Sequence, residues 1–98
     1  MTILGQLERA LGLGKYKIDA GYSDVSMSSS GGTISTGLST VKAFIAIVEE
    51  NTAGKAYMVK VDNISGGTVT IRVFSYDGTN FAEITSGTVK VHWFAIGS

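Results

Sequence analysis

The chain has 98 residues, 13 of them glycine and none proline or cysteine, and its eight basic side chains balance eight acidic ones. That length allows one domain and excludes two with separate cores, and the cysteine count excludes disulfide frameworks, thiolate metal sites and cysteine nucleophiles. The balanced, scattered charge leaves no basic stripe for a row of phosphates and no like-charge run for a membrane surface, so neither nucleic acid nor membrane is expected as a partner.

Residues 2–13 read as a short amphipathic helix. Ile3, Leu7, Ala10 and Leu11 fall at helical spacing, with Thr2 available as N-cap and Gly12 or Gly14 as terminators. A helix this short is marginal alone in water and needs a surface to lie on. Packing across one end of its own domain is favoured over docking on a neighbouring subunit, for which Ile3, Leu4, Leu7 and Leu11 would form the anchoring arm. Glu8 and Arg9 interrupt the apolar stretch and no basic segment precedes it, so residues 1–14 are not expected to be a secretion signal. The longest near-apolar run elsewhere, residues 43–48, is far too short to span a bilayer. A soluble protein made in the cytoplasm is expected.

Residues 15–32 form the next unit. Tyr16, Ile18, Ala20 and Tyr22 alternate with other residues, as in a strand over 16–22, and the serine- and glycine-rich run that follows suits a flexible linker or a solvated edge strand. From Thr33 strand follows strand, near 33–38, 40–50, 55–63, 68–77, 80–85 and 88–96. The breaks at 51–54, 65–67, 77–80 and 86–87 are rich in glycine, asparagine, aspartate and serine, the residues that make tight turns without proline. Residues 33–98 are therefore expected to form an all-β domain: an antiparallel β-sandwich of about six to seven short strands, with the N-terminal helix appended.

Strand alternation assigns one face to the core: Val41, Ala43, Ile45 and Ile47; Tyr57, Val59 and Val61; Val69, Ile71 and Val73; Val89, Val91, Trp93 and Ala95. The opposite face is partly polar, with Lys42, Lys60, Asp62, Arg72 and Lys90, and then turns apolar at Phe44, Ala46, Val48, Met58, Phe74, Tyr76, Phe94 and Ile96. Each large side chain left exposed forgoes roughly 1.5–3 kcal/mol, so this face is expected to be covered. The cover is either the N-terminal helix with the 16–22 strand, or a further copy of the chain meeting it through Phe44, Val48, Phe74, Tyr76, Phe94 and Ile96. The oligomer is favoured, because a dozen-residue helix covers only part of such a patch.

Catalytic chemistry finds little support. His92 is the only histidine, no G-x-S-x-G elbow occurs, and a half-buried or interface role beside Trp93 is the better reading. Glu49 and Glu50 are adjacent on a strand, so their side chains diverge. Residues 77–80 lack the regular ligands of a calcium loop and read as a plain turn. In residues 12–15 the glycine spacing of a phosphate loop fails, and Tyr16 stands where Ser or Thr would hold magnesium. No cofactor or metal is expected, and no enzymatic activity.

The runs 67–77 (GTVTIRVFSYD) and 88–97 (TVKVHWFAIG), with 36–41 (TGLSTV) as an opening strand, resemble the small β-sandwich structural proteins of tailed bacteriophage particles, and more weakly the H-type lectin domains. The resemblance covers roughly residues 33–98. It implies a sandwich assembling as a homo-oligomer, with a trimer favoured. It further implies a non-enzymatic virion protein, either a capsid decoration or cement subunit or a tail-associated one, partnered by itself and by capsid or tail proteins. The alternative is a lectin-like receptor-binding module, for which Tyr76, Asp77, Asn80 and Phe81 are the candidate glycan contacts.

Overall fold

The computed structural model describes residues 16–50 and 53–98. The helix expected over 2–13, with the arm residues Ile3, Leu4, Leu7 and Leu11, lies outside the described residues. Seven strands follow in chain order: β1 (Lys17–Ser26), β2 (Gly32–Ser35), β3 (Val41–Glu49), β4 (Ala56–Ser65), β5 (Thr68–Tyr76), β6 (Phe81–Glu83) and β7 (Thr88–Gly97). All pairings are antiparallel. The first sheet has the order β1-β7-β3, and the second has the order β2-β5-β4, with β6 also paired to β5.

The core lies between the two sheets. Val25, Val41, Val89, Val91 and Ala95 from the first meet Ile34, Val69, Ile71 and Val73 from the second, with Met27 and Leu38 contributed by the connections. Trp93 lies over Gly21, where a Cβ would meet its indole at 3.2 Å, and stacks on Phe44 with ring centroids 6.1 Å apart. The turns run through glycines with positive φ, at Gly31, Gly54, Gly66, Gly78 and Gly87. A residue with a side chain would be strained there.

One end of the sandwich is tied by the connection between β2 and β3, residues 36–40. Thr36 donates its N–H (2.9 Å) and its hydroxyl (2.7 Å) to the Gly67 carbonyl, and Val41 donates to Gly66 at 2.9 Å. Ser39 and Thr40 both donate to the Ser98 carbonyl, and Ser98 donates back to Thr40. The Asp19 carboxylate on β1 accepts from Gly37 N–H at 2.6 Å. The strap thus bonds to the ends of both sheets, and it runs so close over Gly67 and Gly97 that a Cβ on either would clash with the Leu38 or Thr40 carbonyl.

The strap also corrects the sequence reading of β3. Val41 pairs with Gly97 and Ala43 with Ile96, so Lys42 is a bulge residue and the alternation reverses beyond it. Val41 is buried, but Phe44, Ala46 and Val48 then turn inward to pack on the core, while Ala43, Ile45 and Ile47 point out. A second bulge falls between Val61 and Asn63 on β4, and Val61, expected in the core, is partly exposed at this edge strand. Residues 17–22, from the strand expected over 16–22 as a possible cover, do not lie over a sheet face. They belong to β1, which runs on to Ser26 and pairs with β7 along its whole length.

Gly67→Ala and Gly97→Ala should each destabilise the fold by about 1–3 kcal/mol, the usual cost of overpacking a tight contact. Urea denaturation would measure this. A loss below about 0.5 kcal/mol at both sites, the scale of ordinary surface changes, would mean that the strap does not hold the sheet ends closely.

Candidate protein-interaction face

The outer face of the first sheet is built from every second residue of three strands. The register sets them in rows across β1, β7 and β3: Ile18–Ile96–Ala43, Ala20–Phe94–Ile45, Tyr22–His92–Ile47 and Asp24–Lys90–Glu49. Three rows are largely apolar and the fourth is charged. Ile45 (67%), Ile47 (65%), Tyr22 (65%), Phe94 (38%) and Ile18 (36%) are the large exposed side chains here. Between Phe94 and His92 on one strand and Ile45 and Ile47 on the other lies an open, shallow recess, floored by Ala46 and Trp93.

His92 is the polar exception within the apolar rows, and it is satisfied locally. Its Nε2 lies 2.6 Å from Glu49 Oε1, and its ring is 5.6 Å from that of Tyr22. Lys90 Nζ sits 5.7 Å from the Tyr22 ring centroid, within cation–π range. The hydrogen bond from His92 holds the Glu49 carboxyl below the usual glutamate range, with a smaller contribution from the charge of Lys90. The face can therefore exclude water over its apolar rows while its one imidazole keeps a partner.

The outer face of the second sheet is organised differently. Arg72 bridges Glu83 (2.9 Å) and Asp62 (3.2 Å) and donates to the Ser29 carbonyl at 3.0 Å. Those two carboxylates, Glu83 first, raise the guanidinium pKa further. This is a structural brace across β4, β5 and β6, with its charges matched on the spot.

The six residues expected to share one oligomer face are distributed over three surfaces. Phe94 and Ile96 lie on the outer face of the first sheet. Phe44 and Val48 point into the sandwich, displaced by the β3 bulge. Phe74 and Tyr76 sit on the outer face of the second sheet, Phe74 in register with Met58 and Glu83. The four glycan candidates do come together, at the turn between β5 and β6. The Tyr76 and Phe81 rings are 4.6 Å apart, and Tyr76 Oη donates to the Gly78 carbonyl at 2.9 Å. Asp77 Oδ1 accepts from Asn80 N–H (2.8 Å) and Thr79 N–H (2.9 Å), which lowers its pKa and commits that oxygen to shaping the turn.

Sequence reasoning missed Ile45 and Ile47 as surface residues, and did not weigh Ile18 and Tyr22 as part of the same face. In β3 the two alternating sets both carry charge, Lys42 and Glu50 in one and Glu49 in the other, so charge did not choose between them. The usable signal was size: Phe44 is the side chain large enough to reach Trp93 across the sheet's inner face.

Among the described residues, no three His, Asp or Glu side chains group as metal ligands, and no helix is long and apolar enough to cross a membrane. No protein-family model matches the chain, and no curated protein or solved structure is significantly similar to it.

The Glu49–His92 pair makes a pH prediction. A carboxyl whose folded pKa is depressed contributes stability that is present above the ordinary carboxylate range and is lost as pH falls through the folded value. Wild type should therefore melt above Glu49→Gln at neutral pH, and the gap should close in acid below that range. A gap independent of pH would show that the pair contributes no charge-dependent stability.

Proposed function

We propose that the chain is a non-enzymatic structural subunit of a tailed-phage particle, either a capsid decoration or cement protein or a tail-associated one. It acts through homo-oligomeric and protein–protein contacts. The observation that carries this reading is the three-row apolar face on β1, β7 and β3. Five large exposed side chains gathered on one sheet face form a patch of the kind that marks a protein contact. The phage setting comes from the resemblance of residues 33–98, and with it the place of work, the virion, after synthesis in the host cytoplasm. Residues 1–14 serve in this reading as a short helical arm, with Ile3, Leu4, Leu7 and Leu11 reaching an adjoining subunit.

A second reading has one observation in its favour. Phe81 is 61% exposed beside Tyr76 at a turn that also carries Asp77 and Asn80, and exposed aromatic rings beside amides and carboxylates suit sugar binding. A glycan-array signal lost in Phe81→Ala would move the assignment to a carbohydrate-binding module.

The structural reading is tested at the face itself. Ile47→Asp should weaken attachment to the particle, or to the partner that retains the protein, by tenfold or more, the scale of a central contact residue. Its urea midpoint should stay near that of wild type, since Ile47 is already exposed. Undiminished attachment in Ile47→Asp would remove this face from the function.

A further inference from the structure

We infer that the outer face of the first sheet is covered by the same face of a second copy, around a two-fold axis that crosses the strands at the Ala20–Phe94–Ile45 row. The inference rests on the reading of this face as an interaction surface and names its occupant.

Area is the first argument. At roughly 200 Å² for a large apolar side chain, the exposed fractions of Ile18, Tyr22, Ile45, Ile47 and Phe94 amount to about 500 Å². Ala20, Ala43, His92 and Ile96 in the same rows bring the face toward the ~800 Å² per partner of a standard interface. A flat sheet face meets another at about 10 Å with side chains interdigitated. An identical face is a self-complementary partner, and such contact closes after two copies.

Charge selects the orientation. The apolar rows are bounded at one end by Asp24–Lys90–Glu49. A two-fold axis parallel to the strands would lay Lys90 on Lys90 and Asp24 on Glu49, like charge against like. An axis across the strands reverses one copy end for end. The charged rows then fall at opposite rims in water, and Ala20, Phe94 and Ile45 each face themselves on the axis. The Ile18–Ile96–Ala43 row meets the Tyr22–His92–Ile47 row, so Ile96 of each copy approaches the recess beside His92. This closed pair replaces the trimer implied by the lectin-like resemblance, because a three-fold ring joins two different patches on each copy rather than one patch to itself.

The 98-residue chain has no cysteine, so a single introduced one is a clean probe. Sedimentation equilibrium should show a monomer–dimer equilibrium, with the dissociation constant raised at least tenfold by Ile47→Asp. A bismaleimide about 10 Å long, matching the sheet separation, should link Ala20→Cys into a covalent dimer. It should not link Asp24→Cys, whose two copies stand about 27 Å apart in the reversed arrangement, at the usual rise per residue of a strand. A monomer at every concentration overturns the inference and assigns the face to another occupant, whether residues 1–15 of the same chain or a different protein. A trimer overturns it, as does linkage of Asp24→Cys as fast as Ala20→Cys. In each of these cases the attachment of Ile47→Asp to the particle still decides separately whether the face is an interaction surface.

Discussion

The hydrogen-bonded strap from Thr36 to Thr40 is the constraint on which the arrangement of side chains depends. It leaves the second sheet at Ser35, bonds to Gly66 and Gly67 at the β4–β5 turn, and bonds to Ser98 beyond β7 before β3 begins. Its closeness to both sheet ends requires residues without a Cβ at Gly67 and Gly97. Because Val41 is held between Gly66 and Gly97, β3 enters the first sheet in a fixed position, and the extra residue Lys42 is taken up as a bulge. Everything beyond the bulge is displaced by one residue, which exchanges the two faces of a strand. Phe44 and Val48 consequently complete the core, and Ile45 and Ile47 are left outside it.

The central strand of the first sheet shows the same division from its own sequence. Val89, Val91, Trp93 and Ala95 on β7 point inward, and its outward set runs from Lys90 through His92 to Phe94 and Ile96. A strand apolar on both faces is the pattern of a sheet covered on both sides. Here the inner side is covered by the second sheet, and the outward apolar character fades to charge only at the Asp24–Lys90–Glu49 row. The limited extent of the charge matters as much as its presence, because it defines an apolar area with one polar border.

Most of the fold was legible. The strands from β3 onward were marked by alternation, and the turns at Gly54, Gly66, Gly78 and Gly87 fall where glycine, asparagine and aspartate cluster. β5 and β7 carried enough buried valine and isoleucine to fix their inward faces without ambiguity. What the sequence concealed depends on contacts distant along the chain. The bulge at Lys42 is set by bonds to Gly66 and Ser98, and no local signal announces them. The extension of β1 through Ser23–Ser26 is set by pairing with Val91, Lys90, Val89 and Thr88, where serine content alone leaves both a flexible linker and a solvated edge strand open. The candidate face inherits both, since one of its edge strands reads with its faces exchanged and the other reads with its course beyond Tyr22 left open.

The two outer faces of the sandwich differ in where their charged groups lie. On the second sheet, Arg72 joins Asp62 and Glu83 across three strands, with Thr33, Thr68 and Thr70 toward one end and Met58, Phe74, Tyr76 and Phe81 toward the other. The charged brace and the threonines are best hydrated or paired in place, and covering them would require each to find an equivalent partner. On the first sheet, the polar groups are confined to one row and to His92, which already shares a hydrogen bond with Glu49. Covering that face would remove apolar area from water while leaving few polar groups to satisfy, so the free energy of association there would be set mainly by Ile45, Ile47, Tyr22 and Phe94. In the proposed pair, Lys90 and Glu49, at the border, would fix which way round the second copy sits. Affinity and orientation would thus be carried by different rows of one sheet, and the bulge at Lys42 puts the isoleucines of β3 into the apolar ones.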